Sequence, residues 1–302
     1  MIVRANAYVL AGDPSFLAAS VQSYYDAVDR IVVSYDENHL SWSGEAIPVD
    51  ACLRELREVD PRGKLDLQPG AYSHPGVSGM ECETSQRRAA LASASEGADW
   101  VLQLDSDEVI PDLSLFMEML SRADTASASG LDFPSRWIYA RTPDGRFLEG
   151  CSRWWRAAAG YPGPLAVRAG ALLKHARQYE GPLFRVDFRK QNTDPWRGRD
   201  TPVHATVPVD AGVLHFSWVR TAEEMATKAK ISGHRDAVDW QAGIRRWRRH
   251  QRHPRIATAL TPLRRRGLLH PTWFRLVELP IDPPQRVLPD APVEPEIAFA
   301  KG

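Results

Sequence analysis

The chain has 302 residues, 43% hydrophobic and 25% charged, a composition that suits one large α/β domain or a domain with an appendage. Its 38 basic and 38 acidic side chains cancel to a net charge of +0, which argues against a global field for nucleic acid. Cys52, Cys82 and Cys151 fit no zinc spacing and no disulfide framework, no apolar run could span a bilayer, and Met1–Leu10 is too short and interrupted for a secretory signal, so a reducing, cytoplasmic compartment is expected.

Ile2–Leu10 reads as a first strand. Gly12-Asp13-Pro14-Ser15 is a turn from which Asp13 or Ser15 would cap a helix carrying Phe16, Leu17, Ser20, Val21, Tyr24 and Tyr25 at helical spacing. Ile31–Tyr35 is a β-branched run, hence a second strand, ending at Asp36. Pro48–Val59 is expected to be helical, Lys64–Gln68 a third strand, and Glu81–Glu96 an alanine-rich helix after a Gly/Pro/Ser-rich loop. A fourth strand follows at Trp100–Leu104, and Asp112 would cap another helix. This β-α-β-α-β-α-β alternation predicts an α/β fold with a mostly parallel central sheet and helices on both faces.

The later half is less regular. Short strands are expected near Leu131–Phe133, Arg136–Tyr139, Leu165–Arg168 and Val213–Phe216. Thr221-Ala222-Glu223-Glu224 is a capping box opening a helix through Lys230. Residues 245–255 are strongly basic, and the proline-rich tail after Leu279 is expected to wrap the surface or stay disordered.

The most informative segment is Trp100-Val101-Leu102-Gln103-Leu104-Asp105-Ser106-Asp107-Glu108. Its apolar half is a buried strand, and its acidic half stands at that strand's C-terminal end, where open α/β sheets bind ligands. Two aspartates one residue apart can converge on a hard divalent cation, which would neutralise a diphosphate. Asp36 would line the same crevice after the second strand. Taken alone, the spacing is also that of a solvated turn.

Arg87 or Arg88 on the alanine-rich helix, the apolar strand and Asp105-Ser106-Asp107-Glu108 together resemble the nucleotide-binding half of GT-A-fold glycosyltransferases, especially the family 2 group. Gly212–Trp218, with His215, is similar to a late histidine segment of such transferases. The resemblance runs over about residues 1–235 and is densest in the first 120, with 1–120 as a nucleotide-binding half, 121–235 as an acceptor half and 236–302 as a basic helical extension with a proline-rich tail. It implies hexosyl transfer, with inversion, from a UDP- or GDP-linked sugar to an acceptor hydroxyl, with Mn²⁺ or Mg²⁺ on the diphosphate. Asp107, Asp105 and His215 would hold the metal. Ala7, Asp36, Arg87, Arg88 and Asp105 would contact the nucleotide sugar. Glu180 would be the general base, with Glu149 and Asp187 as rivals, and Glu108 would support the catalytic centre by orienting the metal site. Gly181 departs from the family's acidic pair at the position after Glu180, which leaves both the base and the choice between inversion and retention open.

Each residue also has an ordinary reading. His215 could be a satisfied histidine at a strand end, and Arg87 and Arg88 could face solvent. Trp137, Trp154, Trp155 and Trp218 could stack on sugars or pack in the core. The 245–255 run suits weak contact with anionic lipid or a polyanionic acceptor, but such runs are more often solvated helix faces. Two alternatives stand beside the transferase: a sugar nucleotidyltransferase, for which Ala11-Gly12-Asp13 is poor in glycine, and a binding protein with a decayed site. An aspartate-nucleophile phosphatase would carry its acidic pair after the first strand.

Overall fold

A computed structural model of the chain describes residues 3–231, 239–260 and 273–281. The first half alternates as expected: β1 (Ala5–Leu10), α1 (Leu17–Tyr24), β2 (Ile31–Asp36), α2 (Val49–Glu58), β3 (Leu65–Gly70), α3 (Gly79–Ala94), β4 (Trp100–Leu102). Next come β5 (Glu108–Val109), α4 (Leu113–Thr125), β6 (Gly130–Asp132), β7 (Ser135–Arg141), β8 (Phe147–Ser152), β9 (Arg156–Ala157) and β10 (Ala166–Arg168). The rest is β11 (Leu183–Asp187), β12 (Ala205–Thr206), β13 (Val213–His215), α5 (Ala222–Ile231), α6 (Trp240–Arg252), α7 (Pro254–Leu260) and β14 (Trp273–Val277).

An eight-stranded sheet runs in the order β12-β11-β6-β10-β4-β1-β2-β3. Only β10 is antiparallel to its neighbours, so the sheet is mostly parallel. Its central strands β1, β2 and β4 are buried on both faces, as a sheet covered by helices on both sides requires. The two-residue period sorts each strand between the layers. Ala5, Ala7, Val9, Ile31, Val33, Trp100 and Leu102 pack with Leu17, Leu53, Leu56 and Phe116 of α1, α2 and α4. Tyr8, Val32 and Val101 point the other way, onto Ala90, Leu91 and Ala94 of α3. Each buried Val, Leu or Ile among them stabilises the fold by about 1.5–3 kcal/mol.

A second sheet, in the order β14-β8-β7-β13-β5 with β9 on β8, is entered directly from the first. The chain leaves β4, passes through Asp105-Ser106-Asp107, and pairs as β5 with β13 at Glu108↔His215. The acidic motif therefore lies at the seam between the sheets. Phe16 stacks on Phe216 there, with ring centroids 4.5 Å apart.

The element ends refine the expectations. α1 starts at Leu17 without a side-chain cap, because Asp13 accepts the Ser15 N–H and pairs with Arg220 instead. α3 begins earlier than expected, at Gly79, because Ser78 and Glu81 form a reciprocal capping box. Asp112 caps α4 through the Leu115 N–H, and Thr221 with Glu224 caps α5. The expected boundary at residue 235 needs correcting: β14, at 273–277, pairs along β8 and so belongs to the second sheet. The proline-rich tail from residue 282 lies outside the described residues. All three cysteines are free and buried. No helix among the described residues is long and apolar enough to cross a membrane.

Candidate functional site

The strands β1, β2 and β4 run parallel, so their C-terminal ends share one edge. A cleft of about 360 Å³ opens there. One end is apolar, with Leu10, Leu40, Trp42 and Ile47; the other is charged, with Asp105, Asp107, Arg87, Arg177, His215 and Lys228. Asp36 and Asp105 both line it, as the topology predicts.

At the charged end, one ligand atom each from Asp105, Asp107 and His215 lie within 4.8 Å of one another. Two carboxylates and an imidazole form a donor set that could hold a divalent cation. Around them stands a shell of cations. Arg87, from α3, places Nη2 2.7 Å from Asp105 Oδ1 and also pairs with Glu83. Arg220 Nη2 and Lys228 Nζ lie 3.1 and 3.0 Å from Asp107 Oδ2, and His215 Nε2 lies 3.4 Å from Oδ1. Glu108 is fully buried and held by both terminal nitrogens of Arg177, at 2.5 and 2.6 Å. It also accepts the Asp105 backbone N–H at 3.0 Å, which fixes the bend of the acidic loop.

Ionisation follows from this packing. Burial disfavours charge on Asp105, but Arg177 and Arg87 outweigh it and bring its pKa down to about 2. Burial likewise opposes charge on Asp107, yet Lys228, His215 and Arg220 hold it well below the usual carboxylate range. Burial works against protonated His215, but the hydrogen bond and charge of Asp107, with Glu108 and Asp105 behind, raise its pKa. The loop is thus a pair of permanent anions inside a cationic rim.

Other expected site residues fall elsewhere. Ala7 is 1% exposed, packs in the core beneath the sheet and does not line the cleft. Arg88 donates to the carbonyls of Leu173 and Lys174 and does not line the cleft. Glu180 is 70% exposed, pairs with Lys174 and is not brought to the cleft. Of its rivals, Glu149 is fully buried between Arg136 and Arg275, and Asp187 is held by Thr193, Phe188 N–H and Tyr161. Glu108, clamped by Arg177, orients the loop.

Asp36 is on the cleft wall, but its carboxylate accepts four backbone N–H groups, from Asn38, Leu40, Tyr72 and Ser73. It ties the loop after β2, which supplies Leu40, Trp42 and Ile47 to the apolar end, to the loop after β3. Burial opposes its ionisation, and the four amides overcome this and lower its pKa. Trp137 and Trp218 pack in an aromatic cluster with Tyr139, Phe274 and Trp240. Neither they nor Trp154 and Trp155 line the cleft.

Sequence reasoning missed Arg177, Arg220, Lys228, Trp42 and Gln86. Trp42 donates its indole N–H to Gln86 Oε1 at 2.7 Å, and Gln86 donates to Ser34 Oγ, so the apolar end has a braced ring. A signal for Lys228 existed: the Thr221 capping box starts a helix directly after the His215 strand, which brings its second turn back toward that strand's end. No periodicity marks Arg177, which lies in a loop.

No protein-family model matches the chain, and no curated protein matches it. Solved structures similar to it include a mannosyltransferase from Pyrobaculum calidifontis in complex with GDP-Man and Mn²⁺, at 15% identity and a TM-score of 0.32, covering 44% of this chain and 36% of that one. Another is 4-diphosphocytidyl-2C-methyl-D-erythritol synthase from Anaerococcus prevotii, at 10% identity and a TM-score of 0.35, covering 56% of this chain and 71% of that one. The match thus spans little more than a third of the mannosyltransferase.

Proposed function

We propose that the cleft takes a nucleotide sugar and that the protein is a glycosyltransferase that moves the sugar to an acceptor hydroxyl. The observation that carries this reading is the trio Asp105, Asp107 and His215, with donor atoms within 4.8 Å, at the charged end of a cleft whose other end is apolar. A nucleoside needs a flat apolar slot and a diphosphate needs charge; the cleft offers them in that order.

On this reading Trp42, Leu40 and Ile47 receive the nucleoside, and Asp36 keeps their loops in place without touching the base. Arg87, Arg177 and Lys228 surround the diphosphate. Lys228 exchanges Asp107 for a phosphate oxygen as the donor enters, an exchange between two anions that its flexible stem permits. Asp105, Asp107 and His215 would hold Mn²⁺ or Mg²⁺, which when bound stabilises the charge on the departing diphosphate as a Lewis acid. Arg177 and Glu108 orient the acidic loop, so the anions meet the donor already placed.

The test is turnover of a panel of UDP- and GDP-linked sugars with Mn²⁺, with and without candidate hydroxyl acceptors. Nucleoside diphosphate release that disappears in a folded Asp107→Ala variant supports the reading. One observation favours a second reading, a nucleotide-sugar-binding protein without transfer: the cleft carboxylates Asp13, Asp36, Glu83, Asp105 and Asp107 are all engaged by cations or backbone amides. Micromolar donor binding with no turnover on any acceptor would select it.

A further inference from the structure

Away from the cleft, the short turn Arg153–Trp155 between β8 and β9 presents two tryptophans to solvent. Trp154 is 69% exposed and Trp155 41%. Both hold left-handed backbone, at φ 63° and 56°. That conformation is unfavourable for a side-chain-bearing residue and persists only where its surroundings enforce it. Here the two rings lean on Trp273 of β14, at centroid distances of 6.1 and 5.4 Å. The Trp155 indole N–H donates to the Thr258 carbonyl of α7 at 3.2 Å. The fold thus holds two large rings outward.

The turn rests on β14 and α7, and α7 packs in turn on α6, a strongly basic helix. α6 buries Trp247 and His250 against Tyr139 and Phe274. Its opposite stripe, Arg245, Arg248, Arg249 and Arg252, is exposed. Arg255 and Ile256 of α7 are exposed too, Ile256 by 53%. Among the described residues, Arg153, Arg156, Arg245, Arg248, Arg249 and Arg255 form no ion pair. The sequence has no Asp or Glu from Trp240 to Val277, although the whole chain has a net charge of +0. The C-terminal helices therefore carry guanidinium groups without carboxylate partners, and α7 joins them to the exposed indoles.

We propose that the Trp154–Trp155 turn and the arginine stripe of α6 and α7 dock the protein on an anionic lipid bilayer. Charge complementarity selects the occupant: guanidinium groups pair with lipid phosphates, and indoles settle at the headgroup level. A nucleic acid would satisfy the arginines but has no use for the aliphatic Ile256. None of these residues lines the cleft, so docking leaves it accessible.

The test is flotation of the full chain with phosphatidylcholine vesicles, with and without phosphatidylglycerol. Binding is expected only to the anionic vesicles, and it weakens as salt rises. Each charge removed lowers partitioning about fivefold, so R245E/R249E is expected to lose binding by more than about tenfold while its thermal melt matches the parent. Trp154→Ser is expected to weaken binding as well, and brominated lipid quenches the parent's fluorescence more than that of Trp154→Phe. Absence of binding to anionic vesicles overturns the proposal. So does binding that heparin or RNA displaces fully and that leaves the indoles unquenched, which would identify a soluble polyanion.

Discussion

Asp107 has three cationic neighbours on one carboxylate, and this crowding makes Lys228 the most informative residue to change. Lys228→Met removes a competitor for Asp107 and a partner for phosphate together. Titration calorimetry is expected to show tighter Mn²⁺ binding and weaker nucleoside diphosphate binding; Mn²⁺ affinity no better than that of the parent would count against the site. Asp36 makes a different prediction. Its carboxyl is more acidic folded than unfolded, so the stability it contributes is complete above the unfolded value of about 3.9 and is lost as pH falls through the lower folded value. Asp36→Asn is expected to cost about 1–3 kcal/mol in urea unfolding at neutral pH, and the gap to the parent narrows in acid. Asp105 and Asp107 were legible because an apolar strand followed by acids announces a strand end, whereas His215 was singled out only by the family resemblance. Where Glu180 faces was not legible, because distance along the chain does not tell where a loop points; its side chain is in solvent, paired with Lys174. Arg177, Arg220 and Lys228 were hidden because a long cation in a loop reads the same whether it faces water or a carboxylate.

The helix α5 delivers Lys228, and its own stability rests on a few contacts. Met225 is its one fully buried side chain. Thr221 and Glu224 close its start, and the Ser43 hydroxyl donates to the Lys230 carbonyl at 2.8 Å. Thr221→Ala is expected to cost about 0.5–2 kcal/mol locally. Hydrogen exchange should quicken in α5 and not in α3, and donor affinity should fall with Lys228 still present. The helices and long strands of the first 125 residues could be read from the sequence because each packs on one layer of one core, so its period survives. The strands β5, β12 and β9 have two residues each, too few to hold a pattern. β14 was missed because its apolar residues sit in an arginine- and proline-rich stretch that reads as surface.

The two sheets meet where the acidic loop crosses, and the far edge of the second is closed from the C-terminal side. Phe274 and Trp273 of β14 are 7% and 9% exposed, and they cover β8. A chain ending at residue 260 loses that cover. It is expected to be less stable by more than about 3 kcal/mol, from the apolar area of two aromatic residues alone, or to aggregate; a melt matching the full chain would show that β14 is dispensable. The buried thiols offer a clock for such openings. Cys52 lies on α2 and Cys82 on α3, against the large sheet, while Cys151 lies on β8 in the smaller one, where burial pushes its pKa up to about 12. None can react with an alkylating agent until its own neighbourhood opens. The order in which the three become labelled would therefore record whether the halves breathe together or one after the other, with no engineered probe.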